Sequence, residues 1–178
     1  MNKNSYYIAL VPSVKISEEI LKFKQAAESK FGTKLALRSP AHVTLVPPFI
    51  ANDDELKQVL TILKAQIKQH KELSITIDGC SNFGSHTIYL QVKNNSRINK
   101  LFEDLFDLVA KVVNPAGYRQ FVPHITLANR DIPSQSFSEM LTYFKAFNYQ
   151  CQTVINQVAI FKLVDQKWQL HKTYVLSK

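Results

Sequence analysis

A chain of 178 residues, 46% apolar and 20% charged, has the make-up of one globular domain; this excludes a disordered, collagen-like or low-complexity polymer and leaves no room for a second large domain. Its 22 Lys and Arg against 14 Asp and Glu give a formal charge of +8, which favours encounter with polyanions such as nucleic acid without identifying one. No apolar run approaches the ~20 residues that span a bilayer, and the apolar stretch from Tyr6 to Val11 is too short for a secretory signal core, so the sequence reads as cytoplasmic, with no membrane contact and with Cys80 and Cys151 as unpaired, small apolar residues.

The first predicted element is a strand over Tyr6 to Val11, rich in aromatic and β-branched residues. Ser17, Glu18 and Glu19 then open a helix whose apolar positions Ile20, Phe23, Ala27 and Phe31 recur at helical spacing, with Gly32 closing it. A second strand covers His42 to Val46, and Asn52 with Glu55 forms a capping-box pattern before Leu56, Val59, Leu60, Leu63 and Ile67. Strands over Leu73 to Ile77 and Thr87 to Val92 flank a turn at Asn82-Phe83-Gly84-Ser85. A third helix follows Ser96, carries Ile98, Leu101, Phe102, Leu105, Val109 and Val112, and ends at Asn114-Pro115. Then come a strand over His124 to Leu127, a short helix with Phe137, Met140, Leu141 and Phe144, and strands over Cys151 to Phe161 and Trp168 to Leu176, the last two joined by a turn at Asp165-Gln166-Lys167. The class is α+β.

The order strand, helix, His-led strand, helix, strand occurs twice. His42-Val43-Thr44-Leu45 and His124-Ile125-Thr126-Leu127 lie 82 positions apart, and at that offset Tyr7 meets Tyr89, Ile8 meets Leu90 and Leu10 meets Val92. The expectation is a single bilobal domain over 1–178 with an internal repeat, about 6–80 and 86–162, followed by a terminal hairpin strand at 168–176. Neither half can hide its apolar face alone, so the halves should pack together around a cleft and need no partner subunit.

In a strand, His-x-Thr places imidazole and hydroxyl on one face and the intervening residue on the other. Val43, Leu45, Ile125 and Leu127 would therefore face the core, and His42, Thr44, His124 and Thr126 the cleft. Two imidazoles suit phosphodiester cleavage, in which one group takes a proton from the nucleophile and another gives one to the leaving oxygen. The threonine hydroxyls can donate to the non-bridging phosphate oxygens, where charge grows in the transition state. A single His-x-Thr is weak, because His171-Lys172-Thr173 also matches; duplication in register distinguishes the first two copies. His171, His70 and His86 read as structural or surface residues. Zinc could draw on the same histidines, but no close His-x-x-x-His or His-Glu-x-x-His spacing is present and the acids near the motifs are limited to Asp53, Asp54 and Asp131. The scheme requires neither metal nor cofactor.

With these paired motifs, the opening Tyr6-Tyr7-Ile8-Ala9-Leu10-Val11-Pro12, Pro47-Pro48-Phe49 after the first motif, Val122-Pro123 before the second, and Phe161-Lys162 followed by Trp168, the chain resembles the two-histidine phosphoesterase superfamily, in its 2′-5′ RNA ligase-like branch. The resemblance implies a bilobal fold with two antiparallel sheets lining a central groove and helices outside. It also implies metal-independent hydrolysis of 2′,3′-cyclic phosphates or 2′-5′ linkages in RNA or nucleotides, with His42 and His124 as the acid-base pair and Thr44 and Thr126 on the phosphate. One departure stands out. A basic residue common two positions past the second Thr-Leu is here Asn129, with Arg130 next; on a regular strand that shift turns the guanidinium to the other face, and a bulge would restore it. Arg130 is thus a candidate phosphate contact, and Phe49 a candidate base-stacking platform. Substrate choice would lie in the loops Ser81 to His86 and Val113 to Gln120. Two other readings stay open: an RNA-end binding or ligating protein with little hydrolysis, and a metal-dependent hydrolase.

Overall fold

Residues 3–93, 95–117 and 120–178 are described by a computed structural model. Alternation in the first strand, β1 (Asn4–Leu10), sends Tyr6, Ile8 and Leu10 into the main core and Tyr7 and Ala9 into a smaller cluster on the other face. The chain continues as α1 (Val14–Phe31), β2 (Val43–Ala51), α2 (Asp53–Ile67), β3 (Leu73–Phe83), β4 (Thr87–Val92), α3 (Ser96–Val109), β5 (His124–Asn129), α4 (Phe137–Ala146), β6 (Gln150–Ile155), β7 (Gln157–Val164) and β8 (Lys167–Val175). Two four-stranded antiparallel sheets result, in the orders β2-β1-β7-β8 and β5-β4-β3-β6. The α+β bilobal architecture expected above is the one found.

The connectivity crosses between lobes. β3 leaves the first half of the chain to pair with β4, and β7 leaves the second half to pair with β1. Helices cross as well: α1 packs on β5 and α3 on β2. One core cluster runs through both lobes, from Ile8 and Leu45 to Leu90 and Leu127.

Several boundaries differ from the sequence expectation for identifiable reasons. Ser13, not Ser17, caps α1, accepting from the Ile16 amide, while the Ser17 hydroxyl donates to the Pro12 carbonyl. The capping box of α2 is as expected, with Asn52 accepting from the Asp54 and Glu55 amides and Glu55 accepting from the Asn52 amide. β2 runs on through Pro47 and Pro48, which an edge strand tolerates because one side of its backbone makes no ladder bonds. β3 likewise continues to Phe83 across a bulge at Gly79 (φ 73). The apolar run Cys151 to Phe161, expected as one strand, is two, parted at Asn156 where the chain passes from one sheet to the other. Of the expected loop Val113 to Gln120, positions 118 and 119 lie outside the described residues. No helix is long and apolar enough to cross a membrane among the described residues. Cys80 and Cys151 are free and half-buried.

Candidate active site

Both histidines sit at the entry of a strand and are fixed in the same way. The backbone carbonyl two residues upstream lies 2.8 Å from Nδ1 of His42, at Pro40, and 2.7 Å from Nδ1 of His124, at Val122. A carbonyl can only accept, so each Nδ1 carries the hydrogen and the unprotonated nitrogen of each neutral ring is Nε2. Thr44 and Thr126 are half-buried two residues further on and line a cleft of about 410 Å³. Its wall also includes Tyr7, Arg38, His42, Pro48, Asn129, Arg130, Gln166 and Trp168.

Each imidazole rests on aromatic rings. His42 has Tyr7 at 4.8 Å between centroids and Phe161 at 6.5 Å, with Trp168 edge-on to Tyr7 at 4.7 Å. His124 has Tyr89 and Phe83 each at 5.0 Å. Such packing limits ring rotation and dries one side of each base. Burial accordingly favours the neutral forms. It is the largest cause that pushes His42 down to about 3, helped by the charge of Lys24 and, more weakly, by His124, against a contribution from the Pro40 carbonyl. His124 is lowered too, again by burial and against the Val122 carbonyl. The influence of His124 on His42 puts the two imidazoles within electrostatic reach of one another.

The displacement of arginine to position 130 is offset by the backbone. Tyr89 pairs with Thr126 but Ile88 with Ala128, so Leu127 is an extra residue in β5 and Asn129 falls on the same side as Thr126. Arg130 follows in the left-handed region (φ 66), its amide donating to the His86 carbonyl at 2.8 Å, and both residues line the cleft. The Asn129 Oδ1 is buried without a hydrogen-bond partner among the described residues. Asp131 then reaches across to the other lobe, accepting from the Thr33 hydroxyl, the Lys34 amide (2.7 Å) and the Leu35 amide (2.9 Å) at the start of a short 3-10 helix, Leu35–Arg38. The 3-10 helix held by that clasp ends at Arg38, which lines the cleft as Arg130 does.

The cleft therefore gathers His42, Thr44, Thr126 and Arg130, and His124 stands beside it on the face of β5 that carries Thr126. Phe49 is not part of it. It is 2% exposed, packs against Tyr6 at 6.0 Å and belongs to the main core, so its ring offers no face to a nucleobase. Pro48, on the side of β2 that carries Thr44 because the two bulges against β1 cancel in parity, is exposed at the cleft instead. His171 lies on exposed β8 against the edge of Tyr6, His86 is in the β3–β4 turn, and His70 pairs with Asp104 at 3.1 Å. Sequence reasoning missed Tyr7, Trp168, Arg38 and Lys24. Tyr7 had a signal, since it matches Tyr89 at the offset of the two motifs, and Lys24 had one in its helical spacing from Ile20 and Ala27; Trp168 on β8 and Arg38 in the short 3-10 helix reach the cleft through tertiary packing. No group of three or more His, Cys, Asp or Glu side chains is placed to hold a metal ion among the described residues.

Two four-stranded sheets meeting at a cleft with a His-x-Thr strand from each define a class, and the chain belongs to the 2′-5′ RNA ligase superfamily, whose family model matches residues 12–167. Among its relatives is a protein of Geobacillus sp. strain WCH70, provisionally named a phosphoesterase, which is 26% identical over 175 residues, covering 97% of this chain and 96% of that one. A similarly named protein of Geobacillus thermodenitrificans is 28% identical, with the same coverage of both chains. Of solved structures, LigT of E. coli in complex with 3′-AMP superposes with a TM-score of 0.70 at 14% identity over 99% of this chain and all of that one. The MHV ns2 PDE domain does so with a TM-score of 0.60 at 19% identity, over 89% and 99%.

Proposed function

We propose that this protein is a metal-independent phosphodiesterase that opens 2′,3′-cyclic phosphates or cleaves 2′-5′ linkages in RNA or nucleotides, with His42 and His124 as acid and base and Thr44 and Thr126 as donors to the phosphate. The observation that carries the reading is the shared tether: each imidazole is tied at Nδ1 to the carbonyl two residues upstream, leaving Nε2 as its working nitrogen, and each has a threonine two residues downstream. Both rings are held neutral while the cleft is empty. An entering phosphate anion raises the proton affinity of both, so the ligand itself recruits the one proton the pair needs. Arg38 and Arg130 at the wall add donors for the anion. The relatives provisionally named phosphoesterases support the reaction class, and LigT crystallised with 3′-AMP, ATP, NADP+ and phosphate supports a nucleotide-sized ligand.

The test is incubation with the four nucleoside 2′,3′-cyclic phosphates and with short 2′-5′-linked oligonucleotides, with a chelator present, followed by product identification. Turnover should persist, and His42→Ala and His124→Ala should each lose ~10²–10⁴ in kcat without the two losses adding, because the residues act as a unit. Activity restored only by zinc or manganese would favour a metal-dependent enzyme, and RNA binding that survives both substitutions without turnover would favour an end-binding or joining role.

A further inference from the structure

Lys24 is out of place for a lysine. It lies on the buried stripe of α1 with Ile16, Ile20 and Ala27 and is 3% exposed, where ammonium groups are seldom found. Its three protons go to three carbonyls of one strap of chain: Nζ donates to Ala36 at 3.0 Å, Ser39 at 2.9 Å and Pro40 at 3.3 Å. Burial brings it down to about 8, which leaves it mostly charged at neutral pH. The strap runs directly into His42, and the Pro40 oxygen that accepts a hydrogen bond from Lys24 also accepts one from Nδ1 of His42. One carbonyl, with its two lone pairs, thus joins a buried cation to a candidate catalytic ring.

The other imidazole has the same carbonyl tether, and no cation among the described residues shares it. At the offset that relates the two motifs, the counterpart of Lys24 is Phe106 on α3. Around His42 stand Tyr7 of β1 and Phe161 of β7, both uncharged, Lys24 of α1 and, across the cleft, His124 of β5. Around His124 stand Phe83 of β3 and Tyr89 of β4. Arg38 and Arg130 line the cleft between the two. Among the described residues, therefore, a buried cation shares the carbonyl tether of His42 and none shares that of His124.

We propose, resting on the phosphodiesterase reading above, that Lys24 is a positioning residue that fixes the Nδ1–H tautomer of His42 through the Pro40 carbonyl and keeps the pair's single proton on His124. His42 is then the base and His124 the acid. For a cyclic phosphate, Nε2 of His42 takes a proton as water forms its bond to phosphorus. The bond from phosphorus to one ribose oxygen breaks, and that oxygen receives the proton from Nε2 of His124. The product is a nucleoside monophosphate, and the two rings have exchanged protonation states, which solvent resets.

Four variants and one titration test this. Lys24→Met keeps the length and removes the charge, and Lys24→Arg restores a cation. With 2′,3′-cyclic AMP and chelator, Lys24→Met should move the acid limb of the kcat/KM profile up by about one pH unit or more, as loss of a like charge within a few ångströms does, while the alkaline limb stays in place. Lys24→Arg should return the acid limb toward the wild-type position. On a p-nitrophenyl phosphodiester, whose leaving group needs no proton, His124→Ala should recover most of its lost rate and His42→Ala should not. Nitrogen-resolved NMR titration of the unliganded wild type, which depends on neither activity nor the folding of a variant, should show His42 protonating below His124. An acid limb unmoved in folded Lys24→Met, rescue of His42→Ala instead of His124→Ala, or His42 titrating above His124 would overturn the assignment. Failure of the wild type to turn over either ester would instead remove the phosphodiesterase reading, with the titration order still deciding the effect of Lys24 on His42.

Discussion

His42 and His124 couple stability to pH as well as serving the proposed chemistry. Both are lowered in the folded protein relative to an ordinary histidine near 6.5. The unfolded chain therefore binds more protons than the native one below that pH, so the stabilisation from keeping the rings neutral is present above about 6.5 and is lost as the pH falls toward 3. Urea unfolding at a series of pH values should show the midpoint dropping across that window, and His42→Phe, which fills the space on Tyr7 without a titrating group, should flatten the drop. An unchanged slope in that variant would refute the coupling. The histidines and threonines were legible in the sequence because they recur in register. Arg38 and Asp131 were not, because they sit in a short 3-10 segment and a loop that no periodicity reports; Lys24 lies on the apolar stripe of α1, but its partners Ala36, Ser39 and Pro40 belong to a strap whose path that stripe does not report. Phe49 misled by its residue type; the alternation that turns Val43 and Leu45 to the core turns Phe49 there too, since the two bulges in β2 cancel in parity.

Between elements, the contact that sets the cleft is the clasp of Asp131 on the 3-10 helix. Burial raises the proton affinity of the Asp131 carboxyl, but hydrogen bonds from Thr33, Lys34 and Leu35 outweigh it and hold the group below the usual carboxylate range. Its contribution is thus present above the ordinary aspartate value and lost in acid. Asp131→Asn keeps one acceptor but sets an amide donor against backbone N–H groups. It should cost about 1–3 kcal/mol in urea unfolding and, by freeing the strap that carries Arg38, raise KM more than it lowers kcat. Equal losses in both would place the clasp's effect in the chemical step. The helices were readable from their apolar stripes, and the capping box of α2 fell where Asn52 and Glu55 put it. Ser17 was mistaken for a cap because its own signal resembles that of Ser13, four residues earlier. The division at Asn156 left no mark because β-branched and apolar residues, Thr153 to Ile155 and Val158 to Phe161, stand on both sides of it.

Across the molecule, the β2-β1-β7-β8 sheet takes two strands from each half of the chain and the β5-β4-β3-β6 sheet takes one from the first half and three from the second, so a half expressed alone lacks the inner neighbour of its first strand. Fragments 1–85 and 86–178 should each fail to show a cooperative thermal transition, and co-expression should restore both the transition and any activity. A stable, cooperative 1–85 would contradict this. The sequence carried the pairing of halves through its repeat but not the exchange of β3 and β7, because an apolar strand pattern does not name its partner.

That exchange also governs how the protein comes into being. β1 acquires β2 almost at once but must wait for β7, which begins roughly a hundred residues after β2 ends, or ~5–20 s at ordinary rates of synthesis. Throughout that interval the inner edge of Tyr6–Leu10 is an open, apolar strand, the kind of surface that pairs with the wrong chain. Phe161 and Trp168, which support the His42 and Tyr7 rings, arrive only with the final stretch of the chain. A ribosome that stalls or stops short of β7 would release a sticky, inactive hairpin, so for this protein completion of the message and completion of the catalytic pocket are nearly the same event.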